Sequence, residues 1–262
     1  MNRGEQAMLD ILKKGRQEFN YIGIKAEFEA EGTRDDELLR LTEITRKAGL
    51  SLGIKIGGCE AITDLYRTKQ IGVEYIIAPM VETSYAVSKY VEAKNKVYSP
   101  EEREDVRFLF NLETITSFNN LDEIIKSAKV ENGADGIVFG RVDFTHSNGF
   151  SRNDIESSKI TDYCIKTAIA CKKSNMDLVV GGAITKSSLS NLKEVAKEYL
   201  TRFETRKIIF NSDAIFNPKV IEGMELAVKF EYLWLKNKFD HYDKIANEDL
   251  TRLKMLKERL AL

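Results

Sequence analysis

Short apolar runs alternate with longer amphipathic ones along nearly the whole chain. Residues 21–28 (YIGIKAEF), 52–56 (LGIKI), 75–78 (YIIA), 107–112 (RFLFNL), 136–139 (GIVF), 177–180 (DLVV) and 207–210 (KIIF) are rich in β-branched and aromatic side chains and bounded by Gly, Pro, Asn or Asp. That is the pattern of short buried strands. Between them, residues 35–48, 59–69, 84–93, 121–129, 154–173 and 188–202 place apolar side chains three and four apart, with charged opposite faces. These read as amphipathic helices. Strand–helix alternation implies parallel strands joined by helical crossovers.

The same pattern limits the architecture. No GxGxxG or GxxxxGK[ST] sequence occurs after the first strand or anywhere else, so the glycine-rich phosphate turn of a doubly wound nucleotide fold is missing. A TIM-type (β/α)8 barrel is the better expectation, with seven visible strands where closure needs eight. There are three prolines and no Gly/Ser-rich linker, so residues 1–262 read as one barrel domain. Within it, residues 218–262 read as an extension of two helices, packing on the barrel or on a neighbouring subunit.

Composition narrows the classes further. Lys and Arg number 40 against 41 Asp and Glu, a formal net charge of −1, which points neither to nucleic acid nor to an anionic membrane. The N-terminus is charged throughout, and no apolar run approaches the ~20 residues of a membrane span. Three cysteines without metal-type spacing suit a reduced compartment. A soluble, cytoplasmic protein is expected.

In a barrel, polar residues at the C-terminal ends of strands are the functional candidates. Here those ends supply Lys25, Glu27 and Glu29, then Lys55, then Asn111 and Glu113, and then Gly140, Arg141, Val142 and Asp143. Period-two alternation sets Lys25, Glu27 and Glu29 on one face of their strand and Asn111 with Glu113 on one face of theirs. Charges inside a barrel are costly unless paired or bound to an ion. The cheapest arrangement sets Lys25 and Lys55 against Glu27, Glu113 and Asp143, with a hard divalent cation between the last two. Two carboxylates, water and a bidentate substrate suit Mg²⁺ or Mn²⁺. Zinc fits poorly, because His146 and His241 are the only histidines.

The stretches LGIKIGG, EYIIAPMVETSYAVSKYVEA, FLFNLETITSFNNLDEII, GADGIVFGRVDFTHSNG and VVGGAITKSSL come in the order and spacing of the HpcH/HpaI aldolase/citrate lyase β-subunit family, which this sequence resembles over roughly residues 20–225. The resemblance implies a (β/α)8 barrel of the phosphoenolpyruvate/pyruvate type. It implies a divalent ion held by Glu113 and Asp143, backbone amides of Gly140–Val142 at a substrate carboxylate, and Asn111 facing the site. The departures are as informative. Lys55 stands where the family has an arginine, and a lysine cannot make the forked contact. Phe28 replaces a histidine base, GRVDFT brings Arg141 into what is usually a compact turn, and the family's first β/α unit is missing.

The expected activity is therefore metal-dependent carbon–carbon cleavage or condensation of a 2-keto acid, or a similar small carboxylic acid, through an enolate. Glu113 and Asp143 hold the ion, Lys55 with Arg141 neutralises the carboxylate, and Glu27 or His146 moves the proton. Two alternatives stand beside it: a Schiff-base aldolase using Lys55 or Lys25, and a catalytically idle barrel that binds a ligand or partner. Apolar stripes on the last helices predict a homo-oligomer, with Phe230, Tyr232, Leu233 and Trp234 at the contact.

Overall fold

Eight strands close into a barrel in sequence order: β1 (Tyr21–Glu27), β2 (Ser51–Lys55), β3 (Tyr75–Ala78), β4 (Arg107–Leu112), β5 (Gly136–Gly140), β6 (Asp177–Gly181), β7 (Arg202–Glu204) and β8 (Ile208–Asn211). The computed structural model describes residues 1–261. The helices are α1 (Arg3–Glu18), α2 (Asp35–Ala48), α3 (Ile62–Ile71), α4 (Ser84–Val97), α5 (Ile115–Asn119), α6 (Leu121–Ala128), α7 (Arg141–Ser147), α8 (Ser158–Lys173), α9 (Leu189–Glu198) and α10 (Val220–Leu260).

The strand that the sequence hides is β7. Three residues long, it follows the segment read as a single helix, 188–202, overlapping it only at Arg202, and is too short to show alternation. It also changes the topology. Strands β1 to β7 pair in parallel, whereas β8 returns antiparallel to both β7 and β1. The turn between β7 and β8 is tight, with Thr205 N–H donating to the Ile208 carbonyl at 3.0 Å and Ile208 N–H donating to the Thr205 hydroxyl at 3.1 Å. The ring is thus completed by a hairpin strand rather than by a further β/α unit.

Alternation along the strands sorts the side chains into two compartments. Leu52, Ile54, Ile76, Phe108, Phe110, Ile137 and Phe139 point outward into the shell beneath the helices. Ile77, Leu109, Val138 and Val179 form a separate apolar cluster, with Tyr75 packed against it. They fill the middle of the barrel, and Ile209 of β8 packs over Gly23 and Gly53, where an added Cβ would meet its Cδ1 at 3.3 and 3.4 Å. This plug separates the Arg202–Asp177 pair at the strand beginnings (2.7 Å) from the charged mouth at the strand ends.

Two helical expectations change. An unforeseen helix, α1, opens the chain with a capping box in which the Asn2 side chain and Glu5 cap each other's backbone. The extension read as two helices is one, α10, because the charged stretch KNKFDHYDK contains no breaker. Its inner face buries Met224, Ala227, Phe230 and Trp234. Phe230 and Trp234, expected at a subunit contact, are core residues of their own chain; Tyr232 is exposed.

Candidate active site at the barrel mouth

Glu113 sits at the centre of the mouth, just past the end of β4, and is buried. Its Oε1 accepts the Met80 N–H at 3.0 Å, and its Oε2 accepts the Asn111 Nδ2 at 2.5 Å. Met80 presents that amide from left-handed backbone, φ +50, a conformation uncommon for a side chain of its size. Gly140 closes the opposite side: an added Cβ would come within 2.8 Å of Glu113 Oε2. Only glycine allows β5 to approach the carboxylate so closely. Glu82 takes part from one position further back, accepting the Thr114 hydroxyl at 2.7 Å.

The two inward lysines have separate partners. Lys55 Nζ lies 3.2 Å from Glu29 Oε2 and 3.6 Å from Glu113 Oε2. Lys25 Nζ lies 2.5 Å from Glu204 Oε1 and 3.4 Å from Glu27 Oε1. Burial works against the Lys25 ammonium, but Glu204 and Glu27 outweigh it and raise its pKa. Burial likewise opposes the Glu27 carboxylate, yet Lys25, Lys55, Arg206 and Lys207 hold it below its ordinary value. At the hairpin tip, buried Lys207 pairs with Glu31, which Arg206 also reaches. Burial dominates there and pulls the Lys207 ammonium below its usual range.

Glu204 and Arg206 were not legible beforehand, since they belong to β7 and the turn after it; Lys207 opens the strand read at 207–210, but its place at the mouth depends on that strand running antiparallel. Glu31 was missed as well; a third alternate glutamate after Glu27 and Glu29 was the only signal. Lys25, Lys55, Arg206 and Lys207 are set against Glu27, Glu29, Glu31, Glu113 and Glu204, an excess of one carboxylate.

Not every expected residue converges. Asp143 lies exposed in the first turn of α7, without an ion-pair partner among the described residues. His146 is exposed in the last turn of that helix. Arg141 is the clear correction. Its buried guanidinium donates to Glu156 (3.0 Å), the Gly182 carbonyl (2.9 Å) and Ser188 (3.0 Å), so it ties α7 to the segment before α8 and to the loop after β6 rather than facing a substrate. The Val142 amide nitrogen comes so close to Gly182, φ +89, that an added Cβ there would lie 2.8 Å away. Phe28, in the place of a histidine, carries the Arg67 guanidinium over its ring at 4.0 Å.

The donors available to an ion are hard oxygens. Besides the Glu113 carboxylate, the buried Asn111 Oδ1 has no hydrogen-bond partner, and a buried acceptor left unpaired is costly. Oxygen donors and a local excess of negative charge suit a hard divalent cation. No group of three His, Cys, Asp or Glu side chains converges as a complete metal site among the described residues, so substrate and water oxygens would have to fill the remaining positions.

Comparison with known proteins gives the following matches. Residues 42–197 match the family model described as HpcH/HpaI aldolase/citrate lyase. Among solved structures, an HpcH/HpaI aldolase from Desulfitobacterium hafniense DCB-2 aligns with TM-score 0.60 at 16% identity, covering 75% of this chain and 82% of that one. An HpcH/HpaI aldolase/citrate lyase family protein from Burkholderia cenocepacia J2315 aligns with TM-score 0.61 at 12% identity, covering 87% and 91%. A variant of the citrate synthase SbnG gives TM-score 0.57 at 17% identity, covering 76% and 81%. At these identities the structures speak for the fold alone. No curated protein matches the chain. No helix among the described residues is long and apolar enough to cross a membrane.

Proposed function

The chain belongs to the HpcH/HpaI aldolase/citrate lyase family, and we propose that it is a divalent-metal-dependent carbon–carbon lyase, or the reverse condensing enzyme, acting on a 2-keto acid or similar small carboxylic acid through an enolate. The observation that carries this reading is the buried Glu113 carboxylate beside the unpartnered Asn111 Oδ1, in a mouth where carboxylates outnumber cations. An anionic substrate entering that field alone would be repelled. A bound Mg²⁺ or Mn²⁺ supplies Lewis acidity for the charge that develops on a keto oxygen.

In this reading Glu113 and Asp143 hold the ion, with Asn111 Oδ1 as a further oxygen donor. Lys55 meets the substrate carboxylate as a point charge, positioned by Glu29 on one side and Glu113 on the other. Backbone amides at Gly140–Val142 complete that contact. Of the two groups considered for proton transfer, Glu27 is held ionised by its lysines and serves mainly to orient Lys25. His146, exposed one turn beyond Asp143, is left as the group able to exchange a proton with solvent and substrate. A Schiff base at Lys55 would strip both Glu29 and Glu113 of their cation. At Lys25 the raised pKa opposes the free amine that such chemistry needs.

The test combines binding with turnover. Mn²⁺ titration should show one site that is lost in Glu113→Gln and Asp143→Asn, and cleavage of 2-hydroxy- or 4-hydroxy-keto acids should vanish with a chelator. Activity that persists in excess chelator, or a wild-type protein that binds no divalent ion at millimolar concentration, would overturn the proposal. Metal binding without turnover on any of these acids would support the idle-barrel alternative.

A further inference from the structure

At the end of the barrel opposite the mouth, two cations converge without a carboxylate. Lys94, in the last turn of α4, is 2% exposed. Its ammonium donates to the Asn132 carbonyl at 2.7 Å and to Asn95 Oδ1 at 3.0 Å, and lies 4.6 Å from the centre of the Phe108 ring. Arg103, in the single turn Glu102–Glu104 before β4, donates from Nη1 to the same Asn95 oxygen at 2.7 Å. Neither cation has an ion-pair partner among the described residues; their acceptors are neutral oxygens. The neighbouring Asp135 is engaged elsewhere, accepting the Phe108 N–H at 2.7 Å and pairing with Arg107 at 3.3 Å. Two cations held against one amide oxygen repel each other, and a buried charge met only by neutral acceptors is costly.

Both side chains still have donors to give. An ammonium carries three N–H groups, and that of Lys94 uses two. The buried Arg103 Nε has no partner, and Nη2 makes no hydrogen bond among the described residues. That Nε–Nη2 edge is the side of the fork that takes an oxyanion with two parallel bonds. The groups line a cleft of about 370 Å³ between α4, the end of α6 and the starts of β4 and β5, with Lys129 at its side and Glu104 as a further acid. Pro100, Ala128, Val130 and Ala134 give it apolar wall. The adjoining groove between α6 and α8 shares Lys129 and adds Lys126, Lys166 and Lys173 against Asp122 alone. A field of this sign draws anions, although the whole chain carries a net charge of −1.

We propose that this cleft binds a small phosphomonoester, with the phosphoryl dianion on Lys94 and Arg103 and the organic part along the apolar wall. A dianion matches two unpaired cations where a single carboxylate would satisfy one. The volume exceeds what a bare oxyanion fills and reaches the lower range of small-molecule pockets. The site is separate from the mouth: Phe108 faces outward at the start of β4, and Glu113 lies five residues on, roughly 17 Å along the strand.

Calorimetric titration of the full-length chain with glycerol phosphate, inorganic phosphate and acetate tests this. Glycerol phosphate should bind at one site with Kd below about 1 mM, inorganic phosphate roughly threefold more weakly, and acetate at least ~tenfold more weakly than phosphate. Phosphate binding as tight as the ester would overturn the ester as occupant, and acetate binding as tight as phosphate would overturn the dianion. Lys94→Met and Arg103→Gln should each weaken the ester at least ~tenfold; Arg103 is partly exposed, so its variant keeps the test open should Lys94→Met fail to fold. Lys55→Met and Glu113→Gln, at the mouth, should leave ester binding unchanged. The charged groups sharing the cleft with Lys94 are Asp135, Arg103, Lys129 and Glu104, and burial lowers the Lys94 pKa to about 8. Ester affinity should therefore fall roughly tenfold from about pH 7 to about pH 9 as the ammonium is lost, and stay level in Lys94→Met. A wild type that takes up neither phosphate nor ester at about 10 mM, an affinity untouched by both cleft variants, or one lost in Glu113→Gln would each overturn the proposal.

Discussion

Replacing Lys55 with Met removes the cation that two carboxylates share and keeps most of the side-chain volume. Lys55 Nζ lies 3.6 Å from Glu113, which is 2% exposed, and 3.2 Å from the more accessible Glu29. At an effective dielectric of about 20, a pair at the Glu113 distance is worth about 4–5 kcal/mol before desolvation. Leaving one member of a buried pair unmatched costs about 3–5 kcal/mol. Glu113 keeps its hydrogen bonds from Met80 and Asn111, so the low end applies, and the exposed Glu29 pair adds only tenths. A loss of about 3 kcal/mol in a chain of this size lowers Tm by about 6 °C. Thermal unfolding with and without millimolar Mg²⁺ reads both halves of the argument. The variant should regain more stability from Mg²⁺ than the wild type does, because its mouth carries one more uncompensated charge and ligand binding adds RT ln(1 + [L]/Kd). Adding Glu113→Gln to Lys55→Met should recover much of the loss. A Tm within about 1 °C of wild type, or an equal response to Mg²⁺, would refute the coupling between Lys55 and Glu113.

Three further outcomes are expected. Because the Glu27 carboxyl is held below its ordinary 4.5, its stabilising contribution is complete above that pH and is lost as pH falls through the folded value; urea titrations should show a shallower acid decline in Glu27→Gln than in wild type. Lys94 is buried beneath the start of β4 with its ammonium donating to the Asn132 carbonyl at 2.7 Å, and burial lowers its pKa from 10.5 to about 8. Between those values only the unfolded chain binds that proton, so wild-type stability should rise with pH across the window while Lys94→Met stays flat. Arg141→Gln should cost about 2–4 kcal/mol in urea unfolding, because Glu156 and Ser188 lose a buried donor, and it should leave Mn²⁺ affinity unchanged. A fall in affinity would return Arg141 to the site.

How much of this protein the sequence determined depends on the range of the interaction involved. Hydrophobic periodicity is a local property, and it placed all the strands but one along the chain, because each must present outward-facing apolar residues such as Ile54, Phe108 or Ile137 to the helices. It also marked the polar ends where Lys55, Asn111 and Glu113 lie. What it did not hold is pairing. Strand β7 is three residues long, and nothing in RFE distinguishes it from the end of a helix until β6 and β8 bond to its two edges. The direction of β8, the arrival of Glu204 at Lys25, and the placing of Lys207 at the mouth all follow from that one hairpin. Arg141 shows the same limit. Its position beside Asp143 suggested a substrate contact, but its partners Glu156, Gly182 and Ser188 are separated from it by 15 to 47 residues. A guanidinium serves the acceptors that the fold brings within reach, and only the closed barrel decides which those are.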